Sequence, residues 1–146
     1  MEFKNFRHVG IVTEDFNSSL NFYKKIFGLK VAKIQIETHP SLAKIMGLNR
    51  VKIKTVKLKY NNKIILELLN WIFPKVKKNF VKKINSTGIT HFAITVKNIH
   101  NIVKNLRKQK NCKVSKPELS ADKKVKYTFC QTPEKVFIEI VEVLKK

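Results

Sequence analysis

Cysteine is scarce in this chain of 146 residues, which carries only Cys112 and Cys130 and has no CxxC pair. So few cysteines argue against the disulfide frameworks that hold small secreted domains together. We therefore predict two reduced, partly buried thiols.

Long apolar runs are also absent, because no stretch reaches the roughly 18 apolar residues that a membrane helix needs. The first ten residues, MEFKNFRHVG, lack the basic and then apolar pattern of a secretory signal peptide. A hydrophobic content of 43% is nevertheless enough for the core of one ordinary domain. The composition predicts a single cytoplasmic domain with no membrane partner.

Acidic residues are few: 10 Asp and Glu stand against 31 Lys and Arg, which gives a formal net charge of +21. Such a field attracts nucleic acid, phosphates and anionic metabolites without any specific contact. Only Arg7, Arg50 and Arg107 are arginine, although recognition of bases and phosphates favours the planar guanidinium, and the lysines are scattered along the chain. We predict an anionic small molecule as the partner and no specific nucleic acid.

The densest basic segment, PKVKKNFVKK at residues 74–83, leaves two interpretations open. It could be a nucleic-acid patch, or it could be the solvated face of a helix whose apolar residues lie between the lysines at helical spacing. The spacing favours the helix, with apolar positions at Val76, Phe80, Val81 and Ile84.

An internal repeat is the strongest pattern in the sequence. Residues 8–31 align with residues 91–114 without a gap, so that His8 falls on His91. The apolar stripe of one amphipathic helix falls on that of another, with Phe16, Leu20 and Tyr23 aligned to Ile99, Val103 and Leu106. Identity between the halves is low, but the physical roles of the residues recur.

The boundaries of the two helices recur at aligned positions as well. Asp15 falls on Asn98, and both residue types are good N-caps. Gly28 falls on Asn111, and both residue types tolerate the left-handed conformation that often ends a helix. The sequence predicts two helices with matching starts and matching ends.

Each half continues with strand-like segments, which predicts a βαβββ order for each. The turns YNNK and QTPEK precede two apolar final strands, and these strands carry Glu67 and Glu139 at matching places. The fold class is therefore α+β, with two tandem βαβββ modules. We place the first module at residues 1–73, the linker at 74–88 and the second module at 89–146 of one domain.

An insertion in THPSLAKIMGLNR distinguishes the first half from the second. Within it, Ser41 to Met46 are predicted to form one or two helical turns that Gly47 closes. In the strand that follows, the apolar residues change from one parity to the other partway along, which predicts a β-bulge near Thr55.

Four titratable residues occupy equivalent places in the repeat: His8, Glu67, His91 and Glu139. An ionised glutamate inside an apolar strand costs several kcal/mol unless it is paired or bound to a metal. Taken singly, each residue has an ordinary explanation, as a core histidine or a solvated carboxylate. Taken together, two His–Glu pairs in a pseudo-twofold arrangement would meet at one centre and suit a six-coordinate divalent transition metal with about two open positions.

The segments HVGIVTEDFNSSLNFYKKIFGLKV, LEL, THFAITV and TPEKVFIEIVE resemble the vicinal oxygen chelate superfamily over nearly the whole chain. That superfamily includes glyoxalase I, methylmalonyl-CoA epimerase, fosfomycin resistance enzymes, extradiol dioxygenases and bleomycin resistance proteins. The resemblance implies paired βαβββ modules that curl into a half-open β-barrel around a metal, and it implies a homodimer. The four ligand positions of the superfamily fall on His8, Glu67, His91 and Glu139.

The ligand set is similar to that of bacterial glyoxalase I and of the epimerases. This likeness implies a lyase or isomerase that moves a proton next to a carbonyl, with an enediolate or enolate held on Ni, Co, Zn or Mn. By the same likeness Glu139 is the carboxylate that moves the proton, and Glu67 could act on the opposite face of the substrate. Two alternatives stay open: a non-catalytic protein that sequesters an anionic small molecule, and an Fe(II) extradiol-type dioxygenase.

Four further residues are weighed against a role in the site. His39 lies in the insertion and His100 lies on the second helix, and both are predicted to be surface residues without a ligand role. Trp71 and Phe73 follow the Glu67 strand, where they could line a pocket or take part in ordinary interface packing.

Overall fold

Each half of the chain folds into an open β-sheet. The structure, a computed structural model, describes residues 5–76 and 83–144. It divides the chain into two compact units, Met1–Lys78 and Asn79–Lys146, called here the first and second units. The first unit contains β1 (Val9–Val12), α1 (Phe16–Phe27), β2 (Lys30–Glu37), α2 (Pro40–Ile45), β3 (Lys52–Tyr60) and β4 (Lys63–Phe73). The second contains β5 (His91–Thr95), α3 (Ile99–Arg107), β6 (Lys113–Val114), β7 (Glu118–Leu119), β8 (Val125–Gln131) and β9 (Phe137–Val143).

The two sheets have the same topology. In the first unit the strand order is β1-β4-β3-β2, and in the second it is β5-β9-β8-β6, with β7 also paired to β8. The first and last strands of each unit are parallel neighbours, and the other pairs are antiparallel. The predicted α+β class with two βαβββ modules is confirmed, and the second strand of the second module is split into β6 and β7.

The predicted helix starts are confirmed. The side chain of Asp15 accepts a hydrogen bond from the backbone N–H of Ser18 at 3.0 Å, and Asn98 accepts one from Asn101 at 2.9 Å. Each bond satisfies an amide that the first helical turn leaves unpaired. Gly28 ends α1 with a φ of 66°, in the left-handed conformation that was predicted for it.

The predicted end of the second helix is wrong. Helix α3 ends at Arg107, and Asn111 is not among the residues with positive φ. Gln109 occupies the position that buried Ile26 holds in α1, so a further turn of α3 would have no apolar side chain to bury. The chain leaves the helix through tight turns instead, in which the N–H of Gln109 bonds to the carbonyl of Leu106 at 2.9 Å.

The predicted β-bulge near Thr55 is also wrong. The register of β3 against β4 is unbroken from Ile53 to Leu58, with shifts only beyond these residues. Both faces of β3 are buried, because Leu58 points to one face and Ile53 packs on the other with Ala43 and Val51. The insertion supplies this second cover, since α2 forms there as predicted and Gly47 follows it with a φ of 67°.

The structure bears differently on the helix predicted for the basic segment and on the prediction that the chain has no membrane helix. The helix predicted for residues 74–83 falls largely outside the described residues. Within the described ranges, every helix is too short or too polar to span a bilayer.

Leu68 is expected to be a major contributor to the stability of the first unit. It is fully buried in β4, between Ile11 of β1 and Val56 of β3. Leu68→Ala should lower the free energy of unfolding by about 2–5 kcal/mol, because the cavity cannot fully collapse. Ile36→Ala, at a position that is 57% exposed on β2, should change it by no more than about 0.5 kcal/mol. Denaturant titration measures both, and equal losses would contradict this packing.

Candidate functional site

The first pair of predicted site residues lies where β1 meets β4. Gly10 of β1 is opposite Glu67 of β4 in the parallel register, and His8 lies two residues before Gly10, on the same face. The His8 Nε2 atom is 3.1 Å from Glu67 Oε2. The side chains are 23% and 14% exposed, so the pair is partly desolvated but accessible.

The second pair repeats this arrangement in the second unit. Ala93 of β5 is opposite Glu139 of β9, and His91 lies two residues before Ala93. The His91 Nε2 atom is 3.6 Å from Glu139 Oε2, with side chains 38% and 27% exposed. The two His–Glu pairs therefore share one register relation, which is what a genuine structural repeat requires.

The structure brings the four predicted ligands together as two pairs, one in each unit. Within each unit, the part of the chain that is described holds no group of three or more His, Cys, Asp or Glu that could bind a metal. A single centre made of His8, Glu67, His91 and Glu139, and a half-open barrel around it, stay predictions.

The donor set fits a divalent transition metal. Imidazole nitrogens and carboxylate oxygens together are ligands that Ni, Co, Zn and Mn accept. The His91 Nδ1 atom is 3.1 Å from the Thr90 hydroxyl, a contact that holds the ring and leaves Nε2 directed at Glu139. An imidazole held by its other nitrogen is the usual arrangement of a metal-binding histidine.

Lys57 is a site residue that the sequence analysis missed. It lies opposite Glu67 in the β3–β4 register, and its Nζ atom is 3.7 Å from Glu67 Oε1. Its side chain is 23% exposed, so a partly buried cation stands beside the first His–Glu pair. Strand alternation in the sequence shows only that Lys57 faces away from its apolar neighbours Val56 and Leu58, and the pairing of β3 with β4 is what brings it beside Glu67.

The second unit has an aromatic residue in the matching place. Phe129 lies opposite Glu139 in the β8–β9 register, and its ring meets His91 edge-on, with centroids 5.3 Å apart. The first pair therefore has a cation beside it and the second pair has an apolar ring. This difference gives the two carboxylates different electrostatic surroundings.

His39, His100, Trp71 and Phe73 are not members of the two His–Glu pairs. His39 is exposed and caps α2 by accepting a hydrogen bond from the N–H of Ser41, and His100 is exposed on α3, so both are surface residues as predicted. Trp71 packs against the buried cluster of Ala43, Val51 and Ile53. Phe73 is 40% exposed, with the Arg50 guanidinium 4.1 Å from its ring centroid.

Comparison with protein families identifies the family of this chain. The profile of the Glyoxalase/Bleomycin resistance protein/Dioxygenase superfamily matches residues 7–129. The chain belongs to this superfamily. The resemblance to the vicinal oxygen chelate superfamily, of which these are members, is thereby confirmed.

One curated relative within the superfamily is the mitochondrial methylmalonyl-CoA epimerase of Dictyostelium discoideum. It is 33% identical to this chain over 101 residues, which are 68% of this chain and 53% of the relative. The chain thus spans about half the length of this relative.

Solved structures share the fold at low identity. A glyoxalase family protein from Bacillus cereus has a TM-score of 0.89 and 16% identity, covering 99% of this chain and 97% of its own. The trypanothione-dependent glyoxalase I of Leishmania major has a TM-score of 0.65 and 20% identity, covering 96% of this chain and 87% of its own. At these identities the likeness confirms the glyoxalase fold.

Proposed function

We propose that this superfamily member is a metal-dependent lyase or isomerase that moves a proton next to a carbonyl group. The observation that carries the proposal is the recurrence of one His–Glu pair, in one register relation, in each βαβββ module. Core packing alone gives no reason for a carboxylate and an imidazole to recur at equivalent places. The epimerase relative and the glyoxalase I neighbour support this class of reaction.

The four residues that would hold the metal are His8, Glu67, His91 and Glu139. When bound, a divalent ion supplies a Lewis acid that stabilises the negative charge developing on a carbonyl oxygen. The histidines would bind it through Nε2, and the Thr90 hydroxyl contacts His91 Nδ1 at 3.1 Å, which leaves the other ring nitrogen free for this role.

Glu139 is the carboxylate that we assign to proton transfer. Glu67 has two ion-pair partners, His8 at 3.1 Å and Lys57 at 3.7 Å. Glu139 has the longer contact of 3.6 Å to His91, and the neighbour facing it across the sheet is the apolar Phe129. A carboxylate held less firmly can turn toward a substrate and take the proton next to its carbonyl.

Glu67 is proposed to act on the opposite face of the substrate carbon. In an epimerisation one carboxylate takes the proton from one face and a second group returns a proton to the other face. A lyase or a 1,2-proton shift needs only that the proton be delivered to a neighbouring atom. The two carboxylates, in their different surroundings, suit either reaction.

The proposed substrate is an anionic carbonyl compound, such as an acyl thioester that carries a carboxylate. Lys57 places a partly desolvated cation beside the site, and the net charge of +21 attracts anions toward the whole chain. The relative's name, methylmalonyl-CoA epimerase, agrees with a substrate of this kind.

Lys57→Met is expected to raise KM for an anionic thioester by about 10- to 100-fold, the value of one charge-assisted hydrogen bond. A neutral thioester of similar size should change much less. Steady-state kinetics with the two substrates measure the difference. Lys54→Met is the matched control, because Lys54 is on the same strand but lies over the Phe16 ring on the other face. Equal effects on both substrates would mean that Lys57 acts only through Glu67.

The experiment that tests the proposed function is proton exchange in heavy water. The protein is reconstituted separately with Ni, Co, Zn or Mn and mixed with a 2-methylmalonyl thioester or with a hemithioacetal. We expect NMR to show deuterium at the substrate carbon next to the carbonyl, and only when the protein is loaded with metal. If the thioester binds but no exchange occurs with any of the four metals, the proposal of an enzyme would be overturned and a sequestering protein would be favoured.

The homodimer and the cytoplasmic location stay predictions. Neither is needed for the proposed chemistry.

A further inference from the structure

The two cysteines of the chain lie against each other in the second unit. Their Sγ atoms are 3.1 Å apart, and both are free thiols. Cys130 is fully buried in β8, whereas Cys112 is only partly buried in the turn between α3 and β6. One thiol is therefore partly exposed to solvent, and the other is buried.

The sheet register explains why these thiols meet. Val114 of β6 is opposite Cys130 of β8, and Cys112 lies two residues before Val114, on the same side of the chain. Cys112 precedes the paired part of β6, and its N–H bonds to the turn carbonyl of Gln109 at 3.3 Å. A disulfide has an S–S distance of about 2.0 Å, so the sulfurs need to approach by about 1 Å, which a turn residue can supply.

The hydrogen bond between the thiols gives them different roles. Donation from the Cys130 thiol lowers the pKa of Cys112, and burial opposes part of this change. The same hydrogen bond, and then burial, raises the pKa of Cys130. Cys112 therefore supplies the attacking thiolate, while Cys130 holds its proton as long as Cys112 is a thiolate.

We propose that Cys112 and Cys130 form a reversible intrachain disulfide by reaction with a low-molecular-weight disulfide. The Cys112 thiolate attacks one sulfur of the small disulfide, whose S–S bond breaks and releases one thiolate. Cys112 is now uncharged, so the hydrogen bond to its thiolate, which is the largest cause of the raised pKa of Cys130, is lost. Cys130 gives its proton to solvent and attacks Cys112, and the second small thiol leaves. The protein loses two electrons in total and the small disulfide gains them.

This inference is independent of the proposed function. Its consequence is a covalent link between the α3–β6 turn and β8. Strand β6 has only two residues, so its attachment to β8 is otherwise slight. Closing this loop should raise the melting temperature by about 5–10 °C. In a reducing compartment such a reversible disulfide is typical of redox sensing rather than of a structural role.

The test is to incubate the full chain with mixtures of oxidised and reduced glutathione, quench with acid, and alkylate the denatured protein. We expect mass spectrometry to show that neither cysteine is alkylated and that the protein is lighter than its reduced form by two hydrogens. One tryptic product should join the Cys112 and Cys130 peptides. Dithiothreitol should restore both thiols. A stable glutathione adduct on Cys112 with Cys130 still alkylated, or disulfide-linked dimers, would overturn the proposal.

Two variants separate the roles of the thiols. Cys130→Ala should accumulate the glutathione adduct on Cys112, because no second thiol resolves it. Cys112→Ser changes the partly buried residue and so tests the pair even where the buried variant folds poorly. It should leave Cys130 unmodified in the native protein. An unmodified Cys112 in Cys130→Ala, or rapid modification of Cys130 in Cys112→Ser, would contradict the assigned order of attack.

Discussion

Replacing either His8 or His91 with alanine is expected to lower metal affinity by at least about 100-fold, so that the purified protein loses its bound divalent ion. Removing a group that only orients a ligand already costs about 10- to 100-fold, so removing the ligand itself should cost more. The two histidines lie in different units, and the proposed single centre therefore requires each variant to lose the same ion. Elemental analysis after reconstitution and desalting measures metal per chain, and calorimetric titration measures the affinity.

The controls for this prediction are His39→Ala and His100→Ala. Both residues are exposed, and both variants should keep the metal content of the parent protein. Circular dichroism should show that the fold survives in all four variants, because His8 and His91 are themselves partly exposed. Loss of metal in only one of His8→Ala and His91→Ala would show that the four residues do not form one centre.

The sequence predicted the features that depend on local chemistry or on strand alternation. Asp15 and Asn98 cap their helices because a short polar side chain just before an apolar stripe can accept a hydrogen bond from a backbone N–H of the first helical turn. Glu67 and Glu139 were recognised as equivalent because each is a carboxylate inside an apolar strand. The register then places a histidine beside each of them, at 3.1 and 3.6 Å.

The features that the sequence did not predict depend on tertiary packing, that is, on which elements cover which faces of a helix or strand. Asn111 was expected to end α3, but the buried stripe stops at Leu106, and an unburied turn of helix gains too little to persist. The parity change around Thr55 predicts a bulge only if one face of β3 is exposed, and the strand itself does not reveal that the insertion covers the second face.

Lys57 and the thiol pair were missed for a related reason. Lys57 is one lysine among many, and only the pairing of β3 with β4 distinguishes it from its neighbours. Cys112 and Cys130 are far apart in the sequence, and only the pairing of β6 with β8 brings their sulfurs together. The role of the Lys57 charge and of the two thiols depends on strand pairing, which composition does not reveal.

Glu139→Gln is expected to lower the rate of epimerisation by about 10²- to 10⁴-fold, the usual contribution of a general base. Glutamine keeps the size of the side chain and can still bind the metal through its carbonyl oxygen, but it cannot accept the substrate proton. Glu139 is 27% exposed, so the fold should be unaffected. Rates are measured with each pure stereoisomer of a 2-methylmalonyl thioester and are divided by the metal bound per chain, so that lost metal is not counted as lost catalysis.

Comparison with Glu67→Gln decides how the two carboxylates divide the work. If they serve opposite faces, both variants stop interconversion, but each still exchanges the substrate proton with heavy water for one stereoisomer, and the two variants retain different isomers. Glu118→Gln, at an exposed position on β7, should behave as the parent protein and controls for the loss of one negative charge. Loss of exchange for the same isomer in both site variants would assign the proton transfer to one base. Parent-like epimerisation by Glu139→Gln would remove Glu139 from the reaction, because a carboxamide at that position has no means of taking the proton.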